Sequence, residues 1–205
     1  MYRITFFFFL FSVITFGQTI QFSDPNLLHY LTNYNCIDTD GDGIYDSTAD
    51  LNNDGQIQIS EAQQALGLTF NIGNFAHNIQ DLGGLEHFIN LEHLYVKSID
   101  VDHLDLSVWQ SLKTLKIFHI MISSFEFDNP LLKHLEVHNI GFNNPLFDLT
   151  NLPSIEYVSM NARLTDNLIF GTHNSLEELN LASGIYTTLN LSGMPSLKYL
   201  TIDYS

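Results

Sequence analysis

One hydrophobic phrase recurs six times from residue 91 onward: LEHLYV at 91, LKTLKI at 112, LKHLEV at 132, IEYVSM at 155, LEELNL at 176 and LKYLTI at 197. Each copy reads apolar-x-x-apolar-x-apolar, and successive starts lie 21, 20, 23, 21 and 21 residues apart. The alternation over the last three positions, as in Leu94, Tyr95 and Val96, sends two apolar side chains to one face of a strand and the middle one to the other. A single such turn cannot cover its own apolar side, so the turns stack and each roofs the next. Parallel strands at about 4.8 Å spacing make six copies a slab roughly 25 Å long. A second, shorter apolar element precedes most copies, in HLDLS, SFEFD, LFDLT, NLIFG and TLNLS. Turns this short leave room on the outer side for short strands or 3-10 turns, not for a full helix.

A period of 20 to 29 residues with this phrase marks leucine-rich repeats. The expected fold is therefore a leucine-rich-repeat solenoid over residues 79–205, with a parallel β face and a short β or 3-10 convex side. The asparagine that usually closes the phrase is replaced by Ile99, Ile120, Ile140, Arg163 and Gly184, so no asparagine ladder is expected. The array ends in LKYLTIDYS without a polar cap, which predicts that further chain follows it, because terminal repeats need capping.

Upstream the pattern is different. FSDPNLLHYLTNY opens with Asp24 as an N-cap and Pro25 at the first helical position, and it places Leu27, Leu28 and Leu31 on one helical face. SEAQQALG predicts a second short helix starting at Ser60 and Glu61 and stopped by Gly67. Residues 18–68 are thus expected to form a small α-helical cap at the N-terminal end of the coil.

Between these helices DTDGDGIYDSTADLNNDGQIQISEA, residues 38–62, holds seven carboxylates and no lysine or arginine. Such charge repels itself unless a cation sits among it. Counting from Asp50, the stretch DLNNDGQIQISE puts Asp50 at position 1, Asn52 at 3, Asp54 at 5, Gly55 at 6, Gln56 at 7 and Glu61 at 12. These are the ligand offsets of an EF-hand calcium loop. Alternate oxygens on the curling loop point to one centre, the Gln56 carbonyl faces inward, and Glu61 closes the cage with two oxygens. Ile57 at position 8 is expected to enter the core. The preceding DTDGDGIYD repeats the arrangement with Asp38, Asp40 and Asp42 at alternate positions, Gly43 at the turn and Asp46 at position 9. Its position 12 is Ala49, so this second Ca2+ would be completed by Asp50 or by water. Two calcium ions would offset four of the seven charges.

The remaining composition narrows the setting. MYRITFFFFLFSVITFG has one early positive charge, Arg3, and a short apolar run, the layout of a signal peptide over residues 1–17. The run is too short for a membrane helix of roughly 20 residues, so the protein is expected to be secreted or held at the cell surface without membrane insertion after the signal is removed. Cys36 is the one cysteine, which excludes an internal disulfide. A formal net charge of −16 argues against nucleic acid and anionic membranes as partners.

The outward strand positions should form the working face. They include His93, Tyr95, Lys97, Lys116, Phe118, His134, Glu136, His138, Tyr157 and Tyr199, aromatic rings set among polar groups that suit a protein segment or a sugar ring. His134 and His138 are four residues apart on one strand, about 13 Å, too far to share a metal. No combination of nucleophile, base and orienting group can be assembled from the spacings, so no enzyme is expected.

FSDPNLLHYL, the acidic stretch and IQDLGGLEHFINLEHLYV together resemble secreted leucine-rich-repeat proteins of Bacteroidetes-type bacteria with an N-terminal EF-hand or dockerin-like calcium module. That resemblance implies adhesion or recognition outside the cell, with an extracellular protein or glycan as partner. The competing expectation is a structural spacer in a larger cell-surface adhesin. A docking role for residues 20–68 is a variant, although dockerins usually duplicate the complete loop.

Overall fold

The structure, a computed structural model, describes residues 17–71, 78–99, 101–120, 122, 124–139, 146–161, 168–183 and 189–203. The signal segment up to residue 16 lies outside these, as do the phrase-closing positions Ile140, Arg163 and Gly184. No helix among the described residues is long and apolar enough to cross a membrane.

The six phrases form six five-residue strands: β3 (His93–Lys97), β5 (Thr114–Phe118), β7 (His134–His138), β9 (Tyr157–Asn161), β11 (Glu178–Ala182) and β12 (Tyr199–Asp203). They stack in parallel with no slippage, so Leu94, Leu115, Leu135, Val158, Leu179 and Leu200 stand side by side. The chain is therefore a β-solenoid with a parallel sheet. The shorter elements lie on the outer side as two parallel pairs. One is β4 (His103–Asp105) with β6 (Ser124–Glu126), and the other is β8 (Phe147–Asp148) with β10 (Leu168–Ile169).

The sheet begins earlier than the repeat phrase. β1 (Ile37–Asp38) and β2 (Gly67–Phe70) are its first two of eight strands, antiparallel to each other, with β2 parallel to β3. Both helices are short: α1 covers Pro25–Asn33 and α2 only Ile59–Ala62. Gly67, expected as a helix stop, instead opens β2. A Cβ there would lie 3.0 Å from Asp38 Cβ and 3.1 Å from Tyr45 Cε1, so glycine permits β1 and the acidic loop to close against β2. The core runs without a break from Leu27, Leu31 and Ile57 under the loops to Leu179 and Leu181 near the far end.

Stacked turns bury backbone polar groups at both corners, and these must find partners. Before each strand, the carbonyls of Leu66, Glu92, Lys113, Lys133, Glu156 and Glu177 each accept two N–H groups from the next turn, at 2.8–3.3 Å. After the strand, Ser98, His119, Asn139 and Ser183 adopt φ between 53° and 60°. Their N–H groups donate to the carbonyls of Phe118, His138, Asn161 and Asp203 at 2.7–3.1 Å. A left-handed residue thus turns the backbone itself into a ladder.

Interior side chains add a second set of bonds between turns. Trp109, Asn129 and His173 each sit three residues before a phrase, in one interior column. The Trp109 Nε1–H donates to Leu85 O at 3.2 Å, and Asn129 Nδ2 donates to Leu106 O and Trp109 O at 2.7 and 3.0 Å. His173 Nδ1 lies 3.2 Å from Leu152 O, while Gly171 N–H donates to its Nε2 at 3.4 Å. Burial pushes the His173 pKa down, against the opposing pull of the Leu152 carbonyl. The Gly171 N–H at Nε2 fits the tautomer that carries its proton on Nδ1, facing the Leu152 carbonyl. Ile99 and Ile120, at the phrase-closing positions, are buried apolar residues.

Asn129→Leu fits a column that already holds Leu152, but it removes two buried hydrogen bonds and leaves Leu106 O and Trp109 O with the N–H groups of Trp109 and Leu112 alone. We expect a loss of about 1–3 kcal/mol in urea denaturation. Ser98→Val should cost about 1–2 kcal/mol because a β-branched side chain opposes the left-handed conformation, whereas Ser98→Gly should stay close to the parent in the same assay.

Candidate metal loops and sheet face

The two acidic loops share three hydrogen bonds, offset by twelve residues, and the second adds a bond from Asp54 N–H to Asp50. In the second loop Asp54 N–H donates to Asp50 Oδ1 and Asn52 Oδ1 at 3.0 and 2.8 Å. Gly55 N–H donates to Asp50 Oδ2 at 2.8 Å and Gln56 N–H to Asp54 Oδ1 at 2.9 Å. In the first loop Asp42 N–H donates to Asp40 Oδ1 at 3.2 Å, Gly43 N–H to Asp38 Oδ2 at 2.9 Å and Ile44 N–H to Asp42 Oδ1 at 2.8 Å. Both loops turn at left-handed residues in positions 4 and 6: Gly41 and Gly43 at φ 80° and 84°, Asn53 and Gly55 at 59° and 82°. The sequence places glycine or asparagine at all four, where a side chain with a branched Cβ would be strained.

The loops differ in their side chains. Asp38, Asp40 and Asp42 bring ligand oxygens within 4.8 Å of one another, a group that could hold a metal ion. Asp38 is buried. Burial alone would raise its pKa, but N–H donors from Gly43, Gly41 and Asp40 outweigh it and hold the carboxyl below its usual value. Asp46, placed by the sequence at position 9, is exposed and accepts from Ser47 Oγ at 3.2 Å.

In the second loop the carboxylates are shared with amides. Asn52 Nδ2 and Gln58 Nε2 both donate to Asp54 Oδ2, at 3.2 and 3.0 Å, and Asn52 Nδ2 also reaches Gln58 Oε1 at 2.9 Å. Glu61 is buried. Its Oε1 accepts Asn52 N–H at 3.0 Å and its Oε2 accepts Gln58 N–H at 2.9 Å, part of a capping box at the head of α2. Ile57 is fully buried, as its position required. Gln58, which bonds both Asn52 and Asp54, belongs to the same group of side chains. Its position 9 in the calcium-loop numbering was the available signal, since that position contributes a ligand or a water-mediated contact.

Asp24 fastens this region to the coil. Its Oδ1 accepts Asn26 N–H at 2.8 Å as the N-cap of α1, while its Oδ2 accepts Gln80 and Asp81 N–H at 2.7 and 3.3 Å. Burial raises its pKa, and these donors together more than reverse that.

On the sheet face the expected outward residues stand in three rows. His93, His134, Tyr157 and Tyr199 share the first, Tyr95, Lys116 and Glu136 the middle, and Lys97, Phe118 and His138 the third. His134 stacks on Tyr157 at 4.2 Å, Phe118 on His138 at 5.1 Å, and Tyr95 meets Phe118 edge-on at 5.3 Å. Glu136 Oε1 accepts from His134 Nε2 at 2.6 Å and pairs with Lys116 Nζ at 3.0 Å. Burial works to raise the Glu136 pKa, and the His134 and Lys116 bonds bring it below the usual value. Burial holds His138 below the ordinary imidazole value, and Glu136 opposes this. His138 Nε2 is also 3.2 Å from Ser159 Oγ. The face is a surface of interlocked rings and charges rather than a row of independent side chains.

Asp24 and Asp38 have folded-state pKa values below their unfolded value of 3.8. Their stabilisation is therefore complete above that value and is lost as pH falls through the lower folded values. In EGTA, which removes metal from the comparison, melting temperature should fall steeply on acidification below about pH 4. Asp24→Ala should lower neutral-pH stability by about 2 kcal/mol or more, since it removes a helix cap and orphans two N–H groups, and it should flatten that acid limb.

No known family model matches this chain and no curated protein matches it in sequence, so its function is argued from its own residues and geometry.

Proposed function

We propose that this protein is an exported, calcium-stabilised recognition module of the leucine-rich-repeat type, with the sheet face as its binding surface and the acidic loops as an EF-hand-like N-terminal cap. The observation that carries the calcium reading is the gathering of Asp38, Asp40 and Asp42 oxygens within 4.8 Å. Backbone donors take one oxygen of Asp40 and one of Asp42, and three N–H groups share the two oxygens of Asp38. A carboxylate has about four lone-pair sites, so acceptor capacity remains for a hard cation that prefers oxygen ligands. In the second loop Asp50, Asn52, Asp54, the Gln56 carbonyl and Glu61 would supply the ligands, with Gln58 beside them. Bound calcium would neutralise carboxylates that have no basic residue between Arg3 and Lys97 to oppose them.

The recognition half rests on the chemistry of the face. Stacked rings held by Glu136 and Lys116 offer rigid contact area at low entropic cost, as protein and glycan binding sites require. The same groups bond chiefly to one another, which suits a binding surface better than an active site. The signal-like leader supports export.

Calcium titration followed by thermal unfolding tests the reading. We expect a rise in melting temperature over a Kd range of about 10⁻⁴ to 10⁻³ M, equivalent to about 2.7 kcal/mol when free calcium reaches roughly a hundred times Kd. Asp38→Ala, Asp50→Ala and Glu61→Gln should each shrink the rise, and an unchanged melting temperature in the parent protein refutes calcium binding. For the face, a glycan array and a panel of immobilised extracellular proteins should yield a ligand whose binding is weakened by Tyr157→Ala or Phe118→Ala. A parent protein that binds nothing on either panel favours the spacer.

A further inference from the structure

His173 ties three successive turns of the coil together. It is 1% exposed, with Nδ1 3.2 Å from Leu152 O of the preceding turn and Nε2 accepting Gly171 N–H of its own turn at 3.4 Å. Its backbone N–H donates to Gly193 O of the following turn at 2.8 Å. Backbones press together at this corner. A Cβ on Gly171 would lie 2.9 Å from Thr150 Cα, and one on Gly193 would lie 2.6 Å from Gly171 O. The ring thus has little slack in which to re-seat. Trp109 and Asn129, earlier in the column, meet carbonyls with N–H donors that do not titrate near neutral pH. His173 instead relies on an unprotonated nitrogen.

We propose that His173 is a proton-operated latch: in mild acid a proton taken up at Nε2 parts the turns on either side of the ring, and its loss closes them again. With Nε2 protonated, one N–H would point at another, that of Gly171. The ring would also carry a positive charge where no described carboxylate is free to meet it. On the preceding turn Asp148 is exposed, and its Oδ1 accepts from Thr150 N–H and Oγ1–H. Glu156 of that turn pairs with Lys133. On the ring's own turn Glu177 pairs with Lys198 of the following turn, and Glu178 accepts from Asn180 Nδ2. A buried charge without a partner drives the group back to its neutral form or out into water. Here the way out is separation of the turns.

The direction of the pH effect follows. Burial holds the folded-state pKa of His173 below its ordinary value of 6.5, with the Leu152 carbonyl opposing it in part. The open form therefore binds more protons. The junction is fully stable above about pH 6.5 and weakens as pH falls below that value. This window lies above the one in which Asp24 and Asp38 act. The latch joins the turns of β9 and β11, so opening it divides the sheet face between the in-register Tyr157 and Glu178. The stack from β3 to β7 keeps its own contacts, since each turn rests only on its neighbours. His138, whose pKa burial also lowers, titrates on the face itself and has to be separated from His173 by substitution.

Amide hydrogen exchange on the full chain in metal-free buffer, corrected for the intrinsic pH dependence of exchange, tests the latch. Between pH 7.5 and pH 5.5 the opening constant reported by β11 amides should rise about tenfold, the increment set by one proton on a group that titrates near 6.5 when open. Amides of β3 and β5 should not change. His173→Asn introduces a side chain that this column already accepts at Asn129, and it should hold the β11 opening constant level over the same range. His138→Gln should keep the rise seen in the parent protein. In the folded parent, the His173 ring followed by NMR should titrate with a midpoint below 6.5. A level response in the parent, a rise that persists in His173→Asn, or a ring midpoint at or above 6.5 each overturns the proposal. Should His173→Asn fail to fold, the parent's exchange profile and ring titration decide the matter.

Discussion

Every turn of this coil buries backbone polar groups at its two corners, and the fold stands or falls on giving each of them a partner. An unpaired buried N–H or carbonyl costs about 1–3 kcal/mol, so one neglected group per turn would erase the stability of a domain this size. Two backbone ladders meet this need. Before the strand a single carbonyl takes two donors from the following turn, and after it a left-handed residue swings its N–H onto the neighbouring strand end. Both demand the same zero-offset stacking. That stacking in turn sets the apolar columns on the inner side and the rows of Tyr, His and Phe on the outer one.

The interior donor column follows from the same constraint. Trp109, Asn129 and His173 differ in every chemical respect except that each carries an N–H aimed at the carbonyls of the preceding turn. The turns that place Leu152 and Met194 in this column fill it with apolar volume instead. These carbonyls already accept a backbone N–H from their own turn, and adding a second donor from the next turn is a job that several side chains can do. Ion pairs reinforce the stacking at the rim, where Glu92 meets Lys113, Glu156 meets Lys133 and Glu177 meets Lys198 at 2.6–2.8 Å. Exposed pairs of this sort contribute about 0–1 kcal/mol each, so they favour the correct alignment of turns more than they hold the coil together.

The parts readable in the sequence were those written as periodicity. Six phrases predicted six strands, and Leu94-Tyr95-Val96 already told inside from outside. Asp24 and Pro25 announced α1, and Ile57 announced its own burial. What stayed hidden depends on a neighbour distant in sequence. Gly67 looks like a helix stop from within SEAQQALG, and its true role appears only when Asp38 and Tyr45 are seen against it. Asn129 and His173 carry no local mark of a donor column, because the carbonyls they serve lie 20 to 23 residues upstream. The acidic loops were readable in spacing but not in emphasis. Twelve-residue matching favoured Asp50 to Glu61, whereas the tight gathering of carboxylates falls at Asp38, Asp40 and Asp42; the other loop has Asn52 in place of a third alternate aspartate, and amide protons from Asn52 and Gln58 reach Asp54.

A coil in which each turn contacts only its neighbours has a stability set by nearest-neighbour terms and by its ends. At the N-terminal end the protein places its densest negative charge beside a residue that ties two segments together. Asp24 caps α1 and grips Gln80 and Asp81, so one carboxylate links the loop region to the start of the repeats. Ile57 and Leu31 carry the apolar core beneath those loops and into the first strands. Any cation that tightens the loops would therefore act on the first turn directly, through covalently rigid neighbours and shared core. Its influence on later turns would have to pass through each turn-on-turn contact in sequence and would weaken with every one. A cation held there would accordingly govern the order of β1, β2 and β3 far more than the shape of the sheet face near Tyr157 and Glu178.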